Sequence, residues 1–296
     1  MKHWQRILGA GLVMVALALT ALGGQDSLAN GTTIYVDAGA TTGANNGSSW
    51  QHAFTDLQNA LDIAEAGDQI WVAEGTYRPS TEHGGSGDRY RSFQLKNSVA
   101  LYGGFDPDAG VTEFEHRDWV LHETVLSGDL NGDDGPDFAN NGENSYHVFY
   151  HPDGTGLDST ASLDGFTVTA GNANGDHPHD SGGGFYNYGS SPRLTNCTVE
   201  GNSASDEGGG IYNSSYSSPA LTNCTFLGNS AGSGAGMYNT YASPTLTNCT
   251  FHGNTAIAAG GGISNFFALA PTLTNCILWG DTPDEISSFA GGAAVT

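Results

Sequence analysis

From residue 191 onward, apolar and polar positions recur in a fixed order. Four segments align: SPRLTNCTVEGNSASDEGGGIYN from Ser191, SPALTNCTFLGNSAGSGAGMYN from Ser218, SPTLTNCTFHGNTAIAAGGGISN from Ser243, and APTLTNCILWG from Ala270. Their cysteines, Cys197, Cys224, Cys249 and Cys276, stand 27, 25 and 27 residues apart. A fainter copy precedes them, SLDGFTVTAGN from Ser162 followed by GGGFYN from Gly182. Self-similarity at this period marks a solenoid, in which each unit buries its apolar side chains only against its neighbours.

Within a unit the pattern is that of short strands. Leu221, Cys224 and Phe226 read inward, Thr222 and Thr225 outward. A spacing of two between Cys224 and Phe226 fits a strand. The spacing of three between Leu221 and Cys224 requires a bend at Asn223. The Gly-rich tract then turns the chain, and Met237 in GMYN opens a third strand. Three strands and three turns therefore make one coil, and successive coils pair in parallel with a right-handed crossover. Leu194, Leu221, Leu246 and Leu273 form one predicted ladder. Val199, Phe226, Phe251 and Leu278 form a second, and Phe185, Ile211, Met237 and Ile263 a third. The fold class is all-β, a right-handed parallel β-helix.

The N-terminal part predicts a cap. TIYVD from Thr33 reads as a strand, and Phe54, Leu57, Leu61 and Ala64 recur at helical spacing, which predicts an amphipathic helix over Ala53 to Ala66 that covers the open end of the stack. Strands are expected within residues 69–77 and 98–105, with irregular insertions at 78–91 and 106–150. Before all of this, Lys2, His3 and Arg6 precede an apolar run from Ile7 to Leu22 and small residues at Ser27-Leu28-Ala29. That order is a secretory signal, and the run falls short of the roughly 20 residues that span a bilayer. Four segments result: a signal peptide at 1–29, a cap and first coils at 30–105, coils with insertions at 106–190, and regular repeats at 191–296. The repeats stop inside what reads as a strand, so a downstream domain or a partner is expected over that end. The protein is expected to be exported, to the extracellular space or the cell surface, and not to be an integral membrane protein.

Composition narrows the partners. The chain carries 8 Lys and Arg against 31 Asp and Glu, a net charge of −23. Phosphate binding needs cations, so nucleic acid is excluded as a partner. Polyanionic glycans are disfavoured as well, whereas divalent cations suit such a surface.

GGGIYN from Gly208, with FLGN at Phe226 and FHGN at Phe251, resembles the repeat of polymorphic outer-membrane proteins. The wider similarity is to the pectin-lyase-like parallel β-helix superfamily. The stretch from Ile34 to Leu61, LYGGF at Leu101 and LSGDLNGDD at Leu126 are similar to bacterial surface proteins of this kind. The resemblance implies the fold. It implies activity less directly, since the superfamily holds both enzymes and adhesins. Pectate lyases are expected to use calcium with a basic proton acceptor, and the regular coils offer only Arg193. Polygalacturonases carry NTD, DD, GHG and RIK motifs, of which only Asp133-Asp134 is present. Glycoside hydrolysis needs two opposed carboxylates. Glu200, Asp206 and Glu207 have no partner at an obvious spacing. No catalytic residue is assigned.

Other chemistry is local. Asp129, Asn131 and Asp133 alternate in GDLNGDDGPD, with Asp137 following, a run of hard oxygen donors suited to calcium although it departs from the EF-hand pattern. Asp176-His177-Pro178-His179-Asp180 reads as a solvated loop or a transition-metal cluster. The cysteines, as stacked equivalents with parallel Cβ vectors, are expected to remain a column of free thiols. Asn196, Asn223, Asn248 and Asn275 are expected to form a buried amide ladder at the bend. Tyr186, Tyr212 and Tyr238 each follow an inward residue and should face outward. They would form an exposed aromatic strip for sugar rings, or else stack on one another for stability. The expectation is a non-catalytic module that binds a polysaccharide or cell-envelope component. A calcium-dependent polysaccharide lyase or glycoside hydrolase, or a stalk displaying another domain, are the alternatives.

Overall fold

The computed structural model describes residues 31–267 and 271–289. The signal-peptide reading and the extreme C-terminal repeat residues lie outside them. The described chain is a right-handed parallel β-helix of about eight turns. Every strand pairing within its four sheets is parallel and links equivalent positions of successive coils.

Four sheets rather than the expected three strips wrap the shaft, with eight, seven, four and six strands. The eight-stranded sheet buries one aliphatic column, Ile34, Ile70, Leu101, Leu163, Leu194, Leu221, Leu246 and Leu273. In the seven-stranded sheet the column is Tyr77, Leu126, Val168, Val199, Phe226, Phe251 and Leu278. The six-stranded sheet stacks Phe149, Phe185, Ile211, Met237, Ile263 and Ile286. The four-stranded sheet runs through the GN-[ST]-A stretch of each repeat and packs a separate small core of Ala173, Ala204, Ala231, Ala235 and Ala256. It was missed because alanine and serine give no apolar alternation over two to five residues. The predicted insertion at 106–150 also contains true coil strands, Thr124–Ser127 and Phe149–His151.

The bend residues explain the tight coil. Asn196, Asn223, Asn248 and Asn275 all hold the left-handed conformation, φ 51 to 55°. Asparagine tolerates that region because its short amide bonds locally. Their side chains do form the ladder. Asn223 Nδ2 donates to Asn196 Oδ1 at 3.2 Å, Asn248 Nδ2 to Asn223 Oδ1 at 3.1 Å, and Asn196 Nδ2 to Asp164 Oδ1 at 3.0 Å. The ladder is not buried as expected. Asn223, Asn248 and Asn275 are exposed, because a single-residue turn pushes its side chain outside the shaft.

Two other amide ladders are buried. Asn187, Asn213, Asn239 and Asn265 bond in series at 3.0 Å, inward of the six-stranded sheet, and His151 Nδ1 closes one end on Asn187 at 2.8 Å. Asn202, Asn229 and Asn254 form the other, which ends on Asp281. Each Nδ2 of this second ladder also donates to a carbonyl of the preceding coil, on Val168, Val199 and Phe226. Buried amides are tolerated because every rung is satisfied. Close stacking at the Gly tract demands glycine: a Cβ on Gly210 would sit 2.5 Å from the Gly236 carbonyl oxygen.

The cysteines occupy one column. Cys197, Cys224 and Cys249 are buried and Cys276 partly so, and all four are free thiols. Each Sγ points at a leucine carbonyl of the coil before, at 3.5 to 3.8 Å. The predicted cap helix is real but short, Leu57–Ile63. Asp56 caps it by accepting from Gln58 N at 2.9 Å. Leu57, Ala60 and Leu61 bury against the terminal strand Thr33–Val36 and its neighbour Gln69–Ala73.

Candidate functional site

The tyrosines do not form an exposed strip. Tyr186, Tyr212 and Tyr238 are 4, 8 and 6% exposed, and Tyr150 extends the row. They do project out of the shaft, opposite the Phe185 column. Their rings lie face to face at 5.2 and 5.9 Å, with interplanar angles of 21 and 12°, so each ring covers the face of the next. His147 stacks on Tyr150 at 4.8 Å, and the Gly84 backbone presses on the same ring. Self-stacking consumes the faces that a sugar would need. Burial raises the phenol pKa values of Tyr186, Tyr212 and Tyr238, with nearby acidic groups adding to it.

The His177 segment is also not simply solvated. His179 is buried, and its Nδ1 lies 2.9 Å from His147 Nε2. His147 Nδ1 faces the Gly182 carbonyl oxygen at 2.9 Å. Burial holds the His147 pKa down to about 3, so the ring is neutral. Asp176 and His177 remain at the surface, with His177 Nδ1 3.3 Å from Asp180. His147 carried no sequence signal, because its partner lies 32 residues away outside the repeat register.

The acidic loop gathers three carboxylates, though not the predicted set. One oxygen each from Asp129, Asp133 and Glu143 lies within 4.8 Å of the others. Asp129 turns the loop by accepting from the backbone N–H of Gly132 at 2.6 Å and Asp133 at 3.2 Å. Asp137 stands outside this group, on a left-handed residue of the turn Pro136–Phe138, and Asn131 is exposed. A second trio, Glu74, Asp106 and His122, ties the insertion back to the coils. There His122 Nδ1 is 2.9 Å from Glu74 and 3.4 Å from Asp106.

A concavity lies elsewhere, over the asparagine bend. A groove of about 310 Å³ is lined by Trp119, Val120, Glu123, Asn196, Thr198 and Thr225, among others. Arg117 builds its wall. The guanidinium is buried, pairs with Asp164 at 2.9 Å, and lies over the rings of Tyr102, Phe114 and Trp119 at 4.8 to 5.1 Å. Asp164 is also the terminus of the asparagine ladder, so one carboxylate joins the wall to the floor. Asp118 turns the chain after Arg117 by accepting from Val120 N and Leu121 N. This leaves Val120 84% exposed on the wall and Leu121 72% exposed beside it in the chain. The floor is a set of rungs, each with one outward threonine (Thr167, Thr198, Thr225); the last two also carry a bend amide, Asn196 and Asn223, where the first has Gly165.

Glu123 sits at one edge of the groove and accepts from Thr167 Oγ1 at 2.7 Å. Glu200 is raised above the usual carboxylate range, by burial first and then by the Glu123 charge. No partner for Glu200 stands at an obvious spacing in the sequence; the charge that acts on it comes from Glu123 of the insertion. The apolar cluster WVL at Trp119, between the charged stretches EFEHRD and HE, was the available signal for this wall.

The sequence profile of the family described as "Right handed beta helix region" matches residues 133–278. No curated protein matches the chain. Among solved structures, the chain is similar to pectate lyase Pel9A, at 16% identity and a TM-score of 0.48, over 88% of this chain and 57% of that one. It is also similar to the pectin methylesterase PemA from Erwinia chrysanthemi, at 12% identity and TM-score 0.42, over 82 and 65%. A rhamnogalacturonan lyase aligns at 14% identity and TM-score 0.42, over 89 and 63%. The chain thus spans less than two thirds of each of these proteins. The fold is that of a right-handed parallel β-helix, the kind that the matched profile describes. Among the described residues, no helix is long and apolar enough to cross a membrane.

Proposed function

We propose that the chain is an exported, non-catalytic module that binds a neutral glycan in the groove between Trp119 and the asparagine bend. The observation that carries this reading is the amphipathic pairing in one concavity. An indole and an exposed valine face rungs of amides and hydroxyls. Sugar recognition uses this combination, an apolar face against C–H surfaces with fixed polar groups against hydroxyls. Glu123, Glu200 and a net charge of −23 favour a neutral over an anionic glycan. The basic-apolar-small order of residues 1–29 supports export.

A screen of neutral and acidic glycans against the chain, with Trp119→Ala alongside, tests the reading. Binding of a neutral glycan that is lost in the variant supports it. The absence of any glycan hit, or equal binding by Trp119→Ala, overturns it.

A second reading rests on Glu123 and Glu200. Glu123 lines the groove, and its charge raises Glu200; a carboxyl group of raised pKa near a second carboxylate is what glycoside hydrolysis uses. Reducing ends released from a bound glycan by the parent chain, and not by Glu200→Gln, would favour hydrolysis over simple binding.

A further inference from the structure

We propose that the loop from Asp129 to Glu143 is a calcium site whose ligands are the carboxylates of Asp129, Asp133 and Glu143. Two oxygens that each lie about 2.4 Å from one calcium ion are at most about 5 Å apart. The three side chains meet that condition, with one oxygen each inside a mutual 4.8 Å. All the donors are hard carboxylate oxygens, the set that selects calcium over zinc or copper.

A second observation is independent of the cluster's charge. The chain leaving it holds three buried oxygen atoms with no hydrogen-bond partner, in three successive residues: Glu143 Oε1, Asn144 Oδ1 and Ser145 Oγ. Glu143 is itself a member of the cluster. Asn144 is 1% exposed, and its amide is held against the acidic loop by Nδ2 donating to Asp134 Oδ2 at 2.7 Å. Unpartnered buried oxygens are rare and costly, and three in successive residues at the exit of a three-carboxylate cluster suit a cation as their partner.

The ion would brace the fold at a definite place. Asn144 Nδ2 donates to the Ala170 carbonyl oxygen at 2.8 Å, Asn172 Nδ2 to that of Asn141 at 2.7 Å, and Ser145 N to that of Gly128 at 2.9 Å. Arg89 Nε donates to the Asn144 carbonyl oxygen at 2.7 Å. Closing the loop on a cation therefore locks the insertion across adjacent coils. This site is separate from the glycan groove and does not depend on it.

The test is calorimetric titration of the chelator-treated chain with calcium, followed by thermal melts with and without the ion. One bound calcium and a raised Tm are expected. Asp133→Asn and Glu143→Gln should each weaken binding about 10–100-fold, the range seen when even the supporting partners of a metal ligand are lost. Asp133 is exposed, so its variant keeps the fold, which circular dichroism checks. Trp119→Ala should bind calcium as the parent does. The absence of heat and of any Tm change up to about 5 mM calcium, above the weakest extracellular calcium modules, overturns the proposal. So does calcium binding that is unaltered in both carboxylate variants.

Discussion

The buried ladder Asn202, Asn229, Asn254 ends on a different residue, and that difference is measurable. Asp281 takes the fourth rung, 5% exposed, and its Oδ1 accepts from both the backbone N–H and Nδ2 of Asn254 at 2.8 Å. On the three rungs before it, the amide nitrogen donates to a carbonyl of the preceding coil. Asp281 has no amide nitrogen to repeat that bond, and its second oxygen, Oδ2, is buried without a partner. An ionised oxygen there is wrong for its surroundings, and a protonated one can donate.

The Asp281 pKa accordingly rises to about 6, by burial first, with Glu285 beside it adding to the rise. An acid whose folded pKa is raised stabilises the fold fully below its unfolded value near 4, and that stability is lost as pH climbs through about 6. Two pKa units correspond to about 3 kcal/mol, reduced to about 1–2 kcal/mol by solvent screening at the end of the stack.

Asp281→Asn restores the amide donor and removes the charge. At pH 7.5 it should therefore gain about 1–2 kcal/mol, or about 2–8 °C in Tm. By pH 4 the gain should shrink toward zero, because the parent then carries its proton. Melts of both proteins at the two pH values, with hydrogen exchange of residues 250–289, give the comparison. An equal gain at both pH values, or a loss at pH 7.5, would refute the reasoning.

Two further outcomes follow from packing. Leu221, 1% exposed, lies between Leu194 and Leu246, so Leu221→Asp should cost more than about 4 kcal/mol and abolish the cooperative melt, while Thr222→Asp should shift Tm little. Arg117→Ala leaves the half-buried Asp164 without its cation, held only by Asn196, and should cost about 1–3 kcal/mol, with faster exchange in residues 114–123 and a Trp119 fluorescence shift to longer wavelength; an unchanged emission maximum would count against the guanidinium as the builder of the groove wall.

Much of the scaffold was legible in the sequence, because a solenoid repeats its instructions. The leucine, phenylalanine and cysteine columns fall where strand alternation and the 25- and 27-residue spacings put them. What the repeat does not encode was illegible. Arg117 finds Asp164 at a separation of 47 residues, across an insertion with no periodic partner. Glu143 displaces Asp137 from the acidic cluster because the turns at Pro136–Phe138 and Asn141–Glu143 fold the loop back. The tyrosines were placed on the correct side of their strand. Their burial comes from stacking on identical neighbours, which an outward assignment leaves out.

The shared register of consecutive coils has a consequence for how such a chain can change length. Ala220 pairs with Arg193 below and Thr245 above, and the same substitution of neighbours holds at Leu221 and Thr222. Excising residues 220–244 would join Pro219 to Thr245 and lower each upper rung onto an equivalent seat. Cys249 would rest where Cys224 had been, and Phe251 over Val199. Gain or loss of a whole turn therefore requires no redesign of the interior, and the number of turns sets how far the molecule extends.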